Sequence, residues 1–143
     1  MEHCLLSINK IKLLDLDTQL SSGRIYPTEA VELSLEDPIL KERLAANALL
    51  GTFSDDHTYG QTNMLDVAFS VNKLYIENKV LYADIDILDT PKGRVLNGLF
   101  KNNTSLDFHA AFTGDVETDS NGKDYCKNLN LEVIYTAFSV RGN

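Results

Sequence analysis

The chain has 143 residues and a formal net charge of -8, from 13 basic and 21 acidic side chains. An acidic surface repels phosphate backbones and anionic lipid headgroups, which argues against general nucleic-acid or membrane-surface binding. Hydrophobic residues make up 43% of the chain and charged residues 24%, so a folded core is expected. The sequence predicts one domain over residues 1–143, with residues 1–9 as a candidate N-terminal arm.

The cysteines and histidines do not form the clusters that metal sites require. Cys4 and Cys126 lie far apart and fit no zinc-ligand spacing, and His3, His57 and His109 are isolated. We therefore expect no metal and no cofactor. The two thiols are expected to be free and buried, as in a reducing compartment; the alternative is a disulfide that joins the two ends of the chain.

The first quarter of the chain predicts a strand, a turn and the start of a helix. Short apolar runs from Cys4 to Asp17 favour a strand, and the Ser- and Gly-containing segment from Gln19 to Arg24 favours a turn. Pro27 suits the first turn of a helix, because a proline there loses no donor that the helix needs.

A second helix signal lies at Asp37 and Pro38, as N-cap and first helical residue. This helix is predicted to end near Gly51, and residues 53–63 form a polar surface loop that carries His57. The predicted apolar face of the helix consists of Ile39, Leu40, Leu44, Ala45 and Ala48.

Two strands joined by a turn at residues 77–79 are predicted from Val67 to Ile76 and from Val80 to Leu88. The second strand alternates between apolar and polar residues, so one face is buried while Asp84 and Asp86 are expected to point to water. The buried face consists of Leu81, Ala83, Ile85 and Ile87.

A third helix starts with Thr90 as N-cap and Pro91 at its first position, and it ends at residues 102–103. Residues 105–113 alternate as a strand, and a hairpin turn at residues 120–122 leads to a last strand over residues 129–135. The predicted apolar stripe of the helix is Val95, Leu96, Leu99 and Phe100, and the predicted apolar face of the last strand is Leu129, Leu131, Val133 and Tyr135.

Strands outnumber helices, and most neighbouring strands are linked by hairpins. The predicted fold class is therefore α+β, with a mainly antiparallel sheet or small barrel and two to three flanking helices.

Five segments, taken in order, carry a resemblance to a known family. They are Ser22-Gly23-Arg24-Ile25-Tyr26-Pro27, Leu49-Leu50-Gly51, the segment from Lys73 to Tyr82, the segment from Ile85 to Arg94, and Phe138-Ser139. With this spacing, residues 13–140 resemble the bacteriophage prohead proteases, which are capsid-maturation serine proteases related in fold to the herpesvirus assembly protease. The resemblance implies a compact barrel-like domain packed with helices.

The resemblance also implies a catalytic histidine in the loop after Leu-Leu-Gly and a serine on the strand after the Thr-Pro helix. His57 comes two residues later than in the family's Gly-Glu-hydrophobic-Asp-His-Pro segment and lacks the proline. His109 and Ala110 occupy the two serine positions of the family's Leu-Gly-hydrophobic-Ser-Ser-Arg-Gly segment. Ala111 and Phe112 replace the Arg and Gly that help to build the oxyanion hole. His57, His109 and Ala110 are thus vestigial candidates of a degenerate site.

Two functions follow from this comparison. In the first, the chain is catalytically inactive and serves as a capsid-associated structural, auxiliary or decoration protein of the virion, in many copies. Its main expected partner is the coat protein, and the alternatives are other virion proteins and further copies of the chain in a homo-oligomer. In the second, it is an active maturation protease that cleaves scaffold or coat protein with a non-standard nucleophile. The candidate nucleophiles are Thr104, Ser105 and Thr113, one of which would need a base within hydrogen-bond reach.

Other polar groupings have simple interpretations. A hard cation could bind Asp55 and Asp56 with Asp66, although a solvated acidic loop is the favoured interpretation. Asp84 and Asp86 lie on one strand face, as paired carboxylates for acid–base work would, but exposure explains them. A dyad or metal pair formed by the two histidines of the degenerate site is likewise less favoured than two plain polar residues on a wet face.

Overall fold

The computed structural model describes residues 4–53 and 64–138, which form seven strands and three α-helices. The strands are β1 (Cys4–Asp15), β2 (Arg24–Ile25), β3 (Leu50–Phe53), β4 (Val67–Glu77), β5 (Val80–Leu88), β6 (Leu106–Thr118) and β7 (Asp124–Phe138). The helices are α1 (Thr28–Leu35), α2 (Pro38–Ala45) and α3 (Pro91–Lys101), and a short 3-10 helix covers Met64–Asp66. Within the described ranges, no helix is long and apolar enough to cross a membrane.

One sheet contains these seven strands, in the order β1-β5-β4-β3-β7-β2, with β6 also paired to β7. Because β6 pairs along the whole of β7, the two strands that run parallel to β7, β2 and β3, must share its other edge. The remaining pairs are antiparallel, and β1 comes close to β6, so the sheet curves towards a barrel. The predicted α+β class, with a mainly antiparallel sheet and three helices, is confirmed.

Strand β1 begins at Cys4, inside the segment 1–9 that was predicted as a candidate N-terminal arm. Residues 4–9 form the first half of β1 and pair with β5. Its half-buried Cys4 and the buried Cys126 are both free thiols. The expectation of free thiols is confirmed, but burial of Cys4 is only partial.

The β4–β5 hairpin is confirmed at the predicted turn. Asn78 and Lys79 both have positive φ angles, of 50° and 62°, which suits the two-residue turns that join twisted strands. The four predicted core residues of β5 are fully buried. The local alternation therefore located the main core strand correctly.

The polar face of β5 differs from the prediction. Asp84 and Asp86 lie opposite the core, but both are half-buried between β1 and β4 and do not simply point to water. The hydroxyl of Ser7 donates to Asp86 at 2.6 Å, and the hydroxyl of Tyr75 donates to Asp84 at 2.8 Å. Neighbouring strands thus supply the partners that water would otherwise supply.

The Tyr75 phenol is expected to titrate abnormally. Burial, helped by the hydrogen bond to Asp84 and by its charge, raises the pKa of Tyr75 to about 12. Because an unfolded tyrosine titrates near 10, this contact stabilises the fold fully below about pH 10 and is lost as the pH rises through about 12. We expect Asp84→Asn to lower the Tyr75 pKa in an ultraviolet titration of tyrosinate.

The Tyr75→Phe variant supplies the control for that titration, since it removes only the transition of this phenol. An unchanged high-pH transition in Asp84→Asn would show that Asp84 does not hold the proton on Tyr75.

The helix caps are confirmed at two of the three starts. The Asp37 side chain accepts from the Ile39 amide at 3.0 Å, and Thr90 accepts from the Gly93 amide at 2.9 Å. Pro27 is itself the N-cap of α1, one position earlier than a first-turn proline.

The end of α2 was predicted wrongly. The helix ends at Ala45, and the segment from Leu50 to Phe53 is strand β3, with Phe53 buried and not in a surface loop. This strand is too short to show alternation in the sequence. It forms because β4 and β7 offer backbone partners on its two edges.

Several predicted apolar faces are also wrong. The exposed residues among them include Ile39, Ala45, Ala48 and Val95, so α2 buries mainly Leu40 and α3 mainly Leu96. On β7, the adjacent residues Val133 and Ile134 are both buried. A register shift of the β6–β7 pair between Ala111 and Phe112 breaks the simple alternation there.

Candidate functional site

The site implied by the family resemblance lies where β3, β7 and β6 run side by side. In register, Tyr135 of β7 pairs with His109 of β6 on one edge and with Thr52 of β3 on the other. Residues paired in this way project from the same face of a sheet. We call these three side chains the His109 row.

The His109 row is exposed to solvent at His109 and buried at Thr52. His109 is exposed, Tyr135 is half-buried, and Thr52 is 4% exposed. The ring centroids of His109 and Tyr135 lie 5.1 Å apart with an interplanar angle of 34°. The imidazole is therefore held against an aromatic neighbour at the surface of the sheet, where another molecule can reach it.

The two residues that the family resemblance assigns to serine positions lie on opposite faces of β6. His109 is on the outer face, whereas Ala110 is half-buried on the face that it shares with Phe108 and Phe112, which are both in the core. A hydroxyl at position 110 would point towards the core. Of the two, only position 109 is exposed to solvent.

The candidate nucleophiles lie far from that position. Ser105 and Thr113 are each four residues from His109, or about 13 Å along an extended chain, and Thr104 is farther still. The Thr113 hydroxyl donates to Glu132 at 3.1 Å. A base placed to serve position 109 would therefore not reach these hydroxyls, since proton transfer requires hydrogen-bond contact.

The floor beneath the His109 row is an aromatic part of the core. Phe108 packs edge-on against Phe69, with ring centroids 5.5 Å apart, and is stacked with Phe100 at 6.0 Å. The fully buried Thr136 hydroxyl donates to the carbonyl oxygen of Asp107 at 2.7 Å. These contacts tie β4, β6, β7 and α3 together and fix the row in place.

A cationic side chain lies beside the last residue of β3. The Lys92 Nζ atom is 5.7 Å from the centroid of the Phe53 ring and 3.9 Å from an Asp66 carboxylate oxygen. Phe53 and the 3-10 helix flank residues 54–63, which are outside the described part of the chain. A positive charge therefore lies beside Phe53, where β3 ends.

Some predicted site residues cannot be placed. His57, Asp55 and Asp56 lie outside the described residues, so their pairing with His109 or with Asp66 stays a prediction. In the ranges 4–53 and 64–138, no group of three His, Cys, Asp or Glu side chains could hold a metal ion.

Two residues of the row were missed by sequence reasoning. Tyr135 was assigned to an apolar strand face, and Thr52 fell between a predicted helix end and a loop. Counting back from the hairpin turn would pair His109 with Val133, but two register shifts in the β6–β7 pair move its partner to Tyr135. No local signal in the sequence reveals these shifts.

The architecture is that of a mixed α+β protein similar to the phage prohead protease fold. The solved structure of the capsid assembly protease gp21 of bacteriophage T4 matches with a TM-score of 0.76 over 96% of this chain and 93% of that chain. The two sequences are 13% identical, so the likeness concerns the fold. No family model matches the sequence, and no curated protein matches it.

Proposed function

We propose that this protein is a catalytically inactive relative of the phage capsid proteases that acts as an auxiliary or decoration protein of the virion. One observation carries the proposal. The accessible serine position on β6 holds His109, the other position faces the core with Ala110, and neither offers a hydroxyl.

The chemistry of acyl transfer supports this proposal. A serine-type protease needs a hydroxyl next to a base and donors that stabilise the oxyanion. Removing the nucleophile alone typically lowers the rate by several orders of magnitude. In this chain, Ala111 and Phe112 also replace the oxyanion segment of the family, while the aromatic floor beneath the site is intact. A protein that only binds a partner needs this scaffold but needs neither the nucleophile nor the oxyanion donors.

The proposed partner is the major capsid protein. Phage shells are symmetric, so a protein that docks on the coat lattice would be present in many copies. A net charge of -8 suits contact with proteins more than contact with packaged DNA. The protein would join the particle in the host cytoplasm during assembly.

An active protease is the alternative, and the likeness to a capsid assembly protease favours it. Incubation of the purified chain with scaffold and coat precursors of its own phage separates the two functions. We expect no specific cleavage by the wild type or by His57→Ala. Cleavage by the wild type that is lost in His57→Ala would contradict the proposal, and the variants Thr104→Val, Ser105→Ala and Thr113→Val would then identify the nucleophile.

Particle composition gives an independent test. We expect mass spectrometry of purified proheads and mature virions to detect the chain in both, and imaging of the intact particle to place it on the coat lattice. Absence from mature virions would contradict a decoration role.

A further inference from the structure

Among the described residues, one edge of β7 has no strand partner over eight residues, and α1 packs against β7 beside it. On that edge, β2 pairs with residues 124–125 and β3 with residues 134–136, so residues 126–133 have no strand partner there in the described part of the chain. No described backbone group of α1, α2 or their connections forms a hydrogen bond to this stretch. The unpaired N–H and C=O groups of such an edge are a template for another extended chain.

A groove runs beside this open edge. Two depressions, of about 480 and 490 Å³, are lined by residues of β7 from Tyr125 to Ile134 and by residues of α1 and α2. The two depressions share Asp37 and Asn130 in their linings, so they are neighbours along β7. We call this feature the β7 groove.

The helical wall of the β7 groove carries two large apolar side chains that are exposed to solvent. Leu33 of α1 borders one depression and is 75% exposed, while Ile39 of α2 borders the other and is 61% exposed. Both helices are anchored to the core by other residues, Val31 and Leu40. Leu33 and Ile39 are therefore presented outwards along the groove.

The charge of the β7 groove is mainly negative. Its lining includes four carboxylates and two cationic side chains, and one of the latter, Lys127, pairs with Glu117 at 3.4 Å. The unmatched carboxylates outnumber the remaining cation, and α1 carries no basic residue. The full charged lining is Glu29, Asp37, Glu117, Glu132, Arg43 and Lys127.

We propose that the β7 groove binds an extended segment of a partner protein, rich in lysine or arginine, which adds a strand beside residues 126–133. The open backbone groups select an extended chain, and pockets beside them select its side chains. Apolar side chains of the segment would contact Leu33 and Ile39, and its cations would face the carboxylates. This inference goes beyond the proposed function, because it concerns peptide binding and requires neither a virion nor catalysis.

A synthetic peptide tests the inference directly. The open edge spans about 26 Å, so an alternating Lys-Val peptide of about ten residues covers it. We expect saturable binding by fluorescence anisotropy, together with slower hydrogen exchange of the amides in residues 126–133. A peptide with an N-methyl group on every amide has no donor on either edge, and we expect it to bind at least about tenfold more weakly. A Glu-Val peptide should bind weakly as well.

Surface variants locate the binding site. Leu33→Lys and Ile39→Lys place repelling charges on the wall, and each is expected to weaken binding of the Lys-Val peptide about tenfold. The matched control is Val95→Lys, because Val95 is 51% exposed on α3 and does not line the groove. It makes the same change in net charge and should leave the affinity within about twofold.

Three results would overturn the inference. The first is equal binding of the N-methylated peptide, and the second is an equal effect of all three lysine variants. The third is a dimer, seen by light scattering, that Leu33→Lys dissociates, since a second copy of the chain would then occupy the groove. None of these results bears on cleavage or on particle composition, so the proposed function is tested separately.

Discussion

Replacing Gly93 by alanine is expected to lower the free energy of unfolding by about 3 kcal/mol, the upper end of the usual cost of overpacking. A Cβ atom at this position would lie 1.8 Å from the carbonyl oxygen of Leu88 and 2.9 Å from the Thr90 hydroxyl. Leu88 ends β5, which is paired on both edges, so its backbone cannot move away cheaply. Urea unfolding followed by circular dichroism measures the loss.

The matched control lies five residues later in the same helix. A Cβ atom on Gly98 would meet nothing within 4 Å. Gly98→Ala should therefore stabilise the protein by up to about 1 kcal/mol, through helix propensity alone. Similar destabilisation by both variants would show that the contact with Leu88 is not the cause.

One segment of the family resemblance, Asp89 to Gly93, has a structural role. In the Asp-Thr-Pro-Lys-Gly segment, the Thr90 hydroxyl donates to the Val67 carbonyl at 2.6 Å and accepts from the Gly93 amide. The threonine thus joins β4 to the start of α3, and the glycine lets the helix approach β5 closely. The segment therefore packs the start of α3 against β4 and β5, a structural role that requires no catalytic residue.

The second large effect is expected at Gly51, under the His109 row. A Cβ atom there would lie 2.0 Å from the Phe69 ring, so Gly51→Ala should destabilise the protein by about 3 kcal/mol. Phe69 is fully buried, and Phe69→Ala should cost about 4 kcal/mol. In the double variant the new methyl group occupies space that the ring has left. We therefore expect the combined loss to be smaller than the sum by at least about 1 kcal/mol.

Additivity in a distant pair is the control for this cycle. Gly98→Ala combined with Phe69→Ala should give the sum of the single effects within about 0.5 kcal/mol, because Gly98 does not contact the ring. If the losses caused by Gly51→Ala and Phe69→Ala were equally additive, the two residues would not be in close contact, and the packing of β3 on β4 described above would be contradicted.

Local features of this protein were determined by the sequence itself. The caps at Asp37 and Thr90, the β4–β5 turn at Asn78 and Lys79, and the alternating core residues of β5 each depend on neighbours a few positions away. Short-range sterics and hydrogen bonds decide such features, so the sequence was sufficient to predict them. Together with the motif order, they also led to the fold class that the structure confirms.

The arrangement of the candidate site was decided by the tertiary structure. Thr52 reaches the His109 row because β3 pairs with β7, more than eighty residues later in the chain. Tyr135 faces His109 because two register shifts displace the hairpin from the pairing that its turn predicts. The open edge of β7 exists because β2 and β3 take only its two ends. Backbone pairing between distant strands determines all three of these features. Such pairing cannot be predicted from composition or from local sequence pattern.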